Sequence, residues 1–299
     1  MGLWPSVLFL LTNKIIPEQQ NKSLTYIAYC YGIGSILSHL CTATVLSHLT
    51  WNYVFICCGI MSIISVIPVF YMQKSLFPHL ASNVMKKETV KEEKQKLPHG
   101  FVWRSGVILF CALLCIKSLT ETGIKTWMPT MLMEIHGVAP SFTSLLSVAL
   151  LILNLFGVSI GAFVYRKAKE NEARTLLILY LTIVPLMLML FGFKSMHVYV
   201  ATAIFSLITV LLYGSGQIIS MYYPTHFQNL GGTAFIGGIL NCFAAIGNVL
   251  AAYANGLIAD LFGWDTIILL WNMTIIIFVI ITLILMPIWN KFRKEQGIK

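Results

Sequence analysis

Long apolar runs joined by short basic connections govern what this chain can fold into. A helix that crosses a bilayer needs about 20 mostly apolar residues. Eight stretches have that length: residues 24–47, 51–72, 106–132, 142–165, 175–193, 197–222, 233–259 and 265–289. A further apolar segment, residues 2–12, is too short to cross alone. The chain is 58% hydrophobic and only 10% charged, where a soluble domain carries roughly 25% charged residues. No water-soluble core absorbs that much apolar surface. The sequence therefore predicts an all-α polytopic membrane protein, a helical bundle of about nine transmembrane helices whose backbone polar groups are satisfied within each helix.

Charge fixes the orientation. Tracing the chain back and forth across the bilayer places the twenty Lys and Arg residues on one face, with three exceptions: Lys194 falls on the opposite side, and Lys117 and Lys125 fall inside or near a span. Basic connections mark the cytoplasmic side, so the Lys74–Arg104 stretch, the Arg166–Arg174 cluster and the C-terminus with Lys291, Arg293 and Lys294 are expected in the cytoplasm, in a plasma or inner membrane. Glu134, Asp260 and Asp265 then fall outside. The net charge of +9 reads as orientation and attraction to anionic lipid rather than as a nucleic-acid footprint. All seven cysteines lie in apolar stretches and read as small buried hydrophobes. The start of the chain has no basic residue before its apolar run and no small-residue cleavage site after it, so it does not read as a signal peptide.

The polar stretch divides the chain into a partial N-terminal membrane half (1–73), a cytoplasmic linker (74–104) and a six-helix C-terminal half (105–299). An internal repeat supports this division. Seventeen positions separate Gly34 from Trp51, and the same number separates Gly247 from Trp264. Each Gly lies mid-span and each Trp opens the next span, so the first three helices look like a copy of the last three. If both halves have six helices, three are missing from the first. The expectation is that Met1 is an internal methionine of a longer carrier, that the chain alone does not transport, and that a missing N-terminal segment is among its partners.

This arrangement resembles the major facilitator superfamily: two six-helix halves, a basic central cytoplasmic loop and a cavity between the halves at mid-membrane. The resemblance covers nearly the whole chain, as helices four to twelve of the usual twelve. Gly123-Ile124-Lys125-Thr126-Trp127-Met128-Pro129-Thr130 is similar to a G-x3-W-x-P-T pattern of the branch containing organophosphate:phosphate antiporters and related organic-anion carriers. Pro224-Thr225-His226-Phe227, Gly237-Gly238-Ile239-Leu240-Asn241 and the run from Gly256 to Trp264 resemble that branch's entry to and exit from its eleventh helix. Glu121 stands where the branch has a substrate-binding arginine, and Tyr31 where it has a histidine. The loop from Gly161 to Arg174 keeps only the basic part of the superfamily's acidic and basic loop signature.

Lys117, Glu121 and Lys125, spaced by four, fall on one helix face, where the glutamate can pair with either lysine. At about 1.5 Å per residue, Lys117 lies near the middle of a span that starts at Val107. An ionised group at that depth costs at least ~2.5–3.5 kcal/mol, so it faces a cavity or a partner. Two readings stand. In one, the lysines attract an anionic substrate while Glu121 balances charge or carries a proton. In the other, the three residues form an ion pair that locks the helix, with Lys125 snorkelling outward. Tyr31 and Asn241 are candidate cavity-lining residues or interhelical hydrogen-bonding groups, Gln217 either lines the cavity or packs, His39 either packs through a hydrogen bond or relays a proton, and Asn154 and Asn272 read as packing residues. Gly247-x3-Ala251 presents a small-residue face for close helix approach. No nucleophilic triad, paired carboxylates or metal-ligand spacing is present in the sequence, so no enzyme activity, metal or cofactor is implied.

What the resemblance implies is a secondary active transporter of a small anionic solute, working by alternating access with proton symport or anion exchange. The partners are that solute and the lipid bilayer, with no nucleic acid. A sensor or assembly subunit built on a degenerate carrier scaffold, or a multidrug exporter, remains as an alternative.

Overall fold

The computed structural model describes residues 7, 17–87, 101–228 and 232–296. Among them there is no strand. The helices are α1 (Pro17–His48), α2 (Trp51–Lys87), α3 (Val107–His136), α4 (Pro140–Lys167), α5 (Glu172–Met189), α6 (Val198–Gln217), α7 (Thr233–Phe262) and α8 (Trp264–Glu295). A short helical turn, Phe101–Arg104, precedes α3. A 3-10 turn, Leu190–Ser195, extends α5, and a wide π turn, Ile218–Tyr222, continues α6. Among the described residues, seven helices are long and apolar enough to span a bilayer. The exception is α1, whose apolar run is broken by Tyr, Ser, Thr and His. The segment 2–12 lies outside the described residues apart from Val7, as does the side chain of His39.

The breaks fall where local chemistry puts them. Gly137, with φ 64, ends α3 in the left-handed conformation and returns its N–H to the Met133 carbonyl; a Cβ there is strained. Pro140 then opens α4 in the first turn, where its missing donor costs nothing. Asn171 caps α5 by accepting from the Arg174 N–H at 3.0 Å. Gly263 separates α7 from α8. Helix α2 continues through Lys87, so the first part of the expected linker is helical, and residues 88–100 lie outside the described residues.

The chain forms two compact units, Gly34–Lys96 and the combination of Met1–Ile33 with Leu97–Lys299. In the smaller unit, Leu49 N–H bonds to the Val45 carbonyl at 2.8 Å and Tyr53 N–H to the Thr50 carbonyl at 3.1 Å, closing the turn between α1 and α2. Trp51–Pro68 buries no residue, and Phe55, Ile63 and Val66 point outward. Such a surface suits lipid rather than water.

In the larger unit, α3 packs on α7 over most of its length and also touches α8, α6 and α4. Helix α4 pairs with α6 and α5 with α8. The α4–α6 pair lies backbone to backbone: a Cβ on Gly157, Gly161 or Gly214 would overlap main-chain atoms of the opposite helix. The Gly247 face on α7 does the same against the Cys115 carbonyl of α3, as the small-residue spacing predicts. Large apolar side chains such as Phe156, Leu181, Val249 and Ile280 face outward, while Lys117, Glu121, Glu172, Gln217, Asn255 and Arg293 are buried. Polar groups inside and apolar groups outside is the arrangement a bilayer demands.

Charged contacts mark the two ends of this bundle. Lys194, the one basic residue expected on the outer side, pairs with Asp265 at 2.5 Å. At the opposite end Arg293 donates to the Glu170 carbonyl at 2.6 Å. Both Lys194 and Asp265 are well exposed, so the contact reports shared location more than stability.

Candidate functional site

Apolar periodicity sets the α3 helix, and its 3.6-residue turn brings Lys117, Glu121 and Lys125 into one ladder. Glu121 binds both lysines, Lys117 through one carboxylate oxygen and Lys125 through the other. Lys117 and Glu121 are buried, while Lys125 is partly exposed. Two cations around one anion leave a formal charge of +1 inside the bundle. Removing ions from water is repaid only when each finds a partner, and the shared carboxylate supplies one to each lysine.

The ladder faces α6. The Lys117 ammonium lies directly on Gly216, where a Cβ would overlap its Nζ and Cε atoms. The Lys125 ammonium sits 5.0 Å from the centre of the Tyr213 ring, within cation–π range. Tyr213 is also within electrostatic reach of Glu121 and of Tyr31. Tyr31 itself is 71% exposed on α1. Thus α3 carries the charges, α6 supplies the surface on which they lie, and Tyr31 stands beside that surface. Asn241 is half-buried on α7. Gly247 against Cys115 and the 2.7 Å Thr122–Asn248 bond fix the α3–α7 register. At a rise of about 1.5 Å per residue, Asn241 lies about 9 Å from Gly247, toward the end where both helices begin. It does not join the ladder's ion pairs.

Neighbouring bonds hold α3 in place. Thr120 bonds Thr274 of α8 at 2.8 Å. Asn255 donates to the Ala251 carbonyl at 2.8 Å and accepts from the Trp271 indole at 3.2 Å, against the bare face of Gly123. The indole of Trp127 donates to the Ala251 carbonyl at 3.3 Å, and its ring fills the space beside Gly256. The resemblance motif around Gly123 and Trp127 is therefore a packing joint between α3, α7 and α8. Asn272 bonds the Ile268 carbonyl of its own helix, whereas both side-chain polar atoms of Asn154 lack a partner among the described residues.

A second polar cluster was not foreseen from the sequence. Glu172, fully buried at the first turn of α5, accepts from Tyr165 at 2.7 Å and from the Trp289 indole at 2.7 Å, and contacts His226 Nε2 at 2.5 Å. Arg293 lies 3.7 Å away. The same arginine caps the α4–α5 turn, where Lys169 and Glu170 both take positive φ, a costly backbone for side-chain-bearing residues. The cluster ties α4, α5, the segment after α6 and α8 together at one end. In sequence Glu172 sits within the basic cluster from Arg166 to Arg174. The available signal was its place just after an N-capping Asn, where the helix dipole favours an acid. Among the described residues, no group of His, Cys, Asp and Glu has the arrangement of a metal site.

No curated protein matches the chain. The sequence pattern of the Major Facilitator Superfamily matches residues 1–236, from the start of the chain into α7. With its apolar helices and inward polar groups, the chain belongs to the Major Facilitator Superfamily, a family of membrane transporters.

Proposed function

We propose that the chain serves a secondary active transporter of a small anionic solute, moved by alternating access and driven by proton symport or anion exchange, with its basic loops and C-terminus in the cytoplasm. The observation that carries this reading is the buried ladder on α3, two lysines sharing one glutamate. An ion-pair lock needs one lysine, because a single Lys–Glu pair is already neutral. The second lysine leaves the ladder a net cation, and an anionic ligand completes its charge balance. A lipophilic cation meets repulsion at the same place, which disfavours the multidrug-exporter alternative. Tyr31, beside Tyr213, and Asn241, further along α7, serve as cavity-lining groups in this reading.

The test is ligand-induced thermal stabilisation of the purified chain in lipid nanodiscs, using a panel of small organic anions and lipophilic cations. Anions should raise the melting temperature in the wild type, and Lys117→Gln should abolish the rise. Stabilisation by cations alone, or anion stabilisation unaffected by Lys117→Gln, would overturn the reading.

A further inference from the structure

The anion reading says nothing of the rest of the solute, and α6 supplies that information. Gln217 is 5% exposed, and neither its amide nitrogen nor its amide oxygen has a hydrogen-bond partner among the described residues. A buried amide without partners is costly, and native structures keep few of them. Residues three and four apart share a helix face, so Gln217 lies one turn beyond Tyr213, whose ring contacts Lys125. It directly follows Gly216, on which the Lys117 ammonium rests. Immediately after Gln217 the helix widens, and Tyr223 N–H reaches back five residues to the Ile218 carbonyl. Wide turns of this kind recur at functional sites.

The geometry points to Gln217 as a specificity-determining residue of the ladder site. Resting on the anion reading above, this inference names the substrate class: an organic anion that also carries a neutral hydroxyl or amide group. The lysines hold the anionic end, and the Gln217 amide, one donor face and one acceptor face, pairs with the neutral group. Gly216 acts as a positioning residue, because any side chain there pushes the Lys117 ammonium off α6. Tyr213 closes the aromatic side over Lys125. A site built to hydrogen-bond a hydroxyl discriminates strongly against the analogue lacking it, because its own polar group is then left unpaired.

The experiment titrates the purified chain in nanodiscs with matched probe pairs: propionate against lactate, butyrate against 3-hydroxybutyrate, and methylphosphonate against hydroxymethylphosphonate. The readout is the ratio of dissociation constants within a pair. The wild type should favour the hydroxylated member of at least one pair by about tenfold or more, the weight of one buried hydrogen bond. Gln217→Leu should bring that ratio close to one, and Gln217→Asn, whose shorter amide is retracted, should give a value between. Gly216→Ala should weaken both members of the pair together, as displacement of Lys117 requires. Lys117-dependent binding with a ratio unchanged by both Gln217 variants overturns this inference and leaves the anion reading intact. If no pair binds in a Lys117-dependent way, the anion reading fails and this inference falls with it. Should Gln217→Leu not fold, as judged by size-exclusion profile, the Gln217→Asn ratio alone decides.

Discussion

Replacing Glu172 by Ala removes a carboxylate from the centre of four partners, and the structure sets the size of the effect. Three groups bond it directly: the Tyr165 hydroxyl, the Trp289 indole and His226. Arg293 stands just beyond, at 3.7 Å. If each bond carried only the membrane-protein average of about 0.6 kcal/mol, the loss would be ~2 kcal/mol. Bonds to a charged group are worth about 1.5–3 kcal/mol each, and removal of one member of a buried ion pair typically costs ~3–5 kcal/mol. Glu172 is fully buried and ionically partnered, so the larger regime governs, and about 3–5 kcal/mol is expected. For a unit of roughly 200 residues, each kcal/mol moves the melting temperature by about 2–4 °C, which gives a drop on the order of 10 °C. The assay is thermal unfolding of the purified protein in nanodiscs followed by tryptophan fluorescence. Glu172→Gln, which keeps an acceptor but loses the charge, should fall between wild type and Ala. An Ala variant melting within about 2 °C of wild type, less than 1 kcal/mol on this scale, would refute the assignment of Glu172 as the tie between α4, α5 and α8.

Further outcomes follow from other contacts. Gly214→Leu places a side chain into the Gly157 and Gly161 backbone and should prevent α4 and α6 from closing, seen as loss of a monodisperse peak; Gly214→Ala should cost ~1–3 kcal/mol, the usual penalty of overpacking. Asn255→Leu severs the Trp271 and Ala251 bonds, and because both partners are neutral it should lower the melting temperature by less than Glu172→Ala does. Single cysteines at Lys167 and Lys294, in a chain cleared of its native cysteines, should be labelled from the same side of an intact vesicle, and one at Lys194 from the other, as the Lys194–Asp265 pair at the far end of the bundle implies.

Much of this architecture was legible because a bilayer imposes a simple code. Apolar length marked the helices, and glycine and proline marked their ends, as Gly137, Pro140 and Gly263 show. The i, i+4 spacing of Lys117, Glu121 and Lys125 was enough to predict their ion pairs. Contacts between helices distant in sequence were not legible. Nothing local to Tyr213 or Gly216 announces that two α3 lysines rest against them, because helix periodicity fixes a face but not the neighbour it meets. Glu172 was hidden for the same reason: its partners lie on three other segments. The helix α1 shows the limit of hydropathy itself, since it forms over its full length while tyrosines, serines and a histidine dilute its apolar run.

The central claim is that the α3 lysines form an anion site in which Glu121 serves as the internal counter-ion. Calorimetric titration of Glu121→Gln with an organic anion that binds the wild type tests it most directly. A carboxylate already bound to both lysines competes with the incoming anion, and one charge at contact distance is worth up to about 4 kcal/mol at an intermediate effective dielectric. Screening reduces that, and the account predicts at least about tenfold tighter anion binding in the variant. Unchanged or weaker binding in a folded Glu121→Gln protein would show that the lysines lock the helix rather than hold the solute.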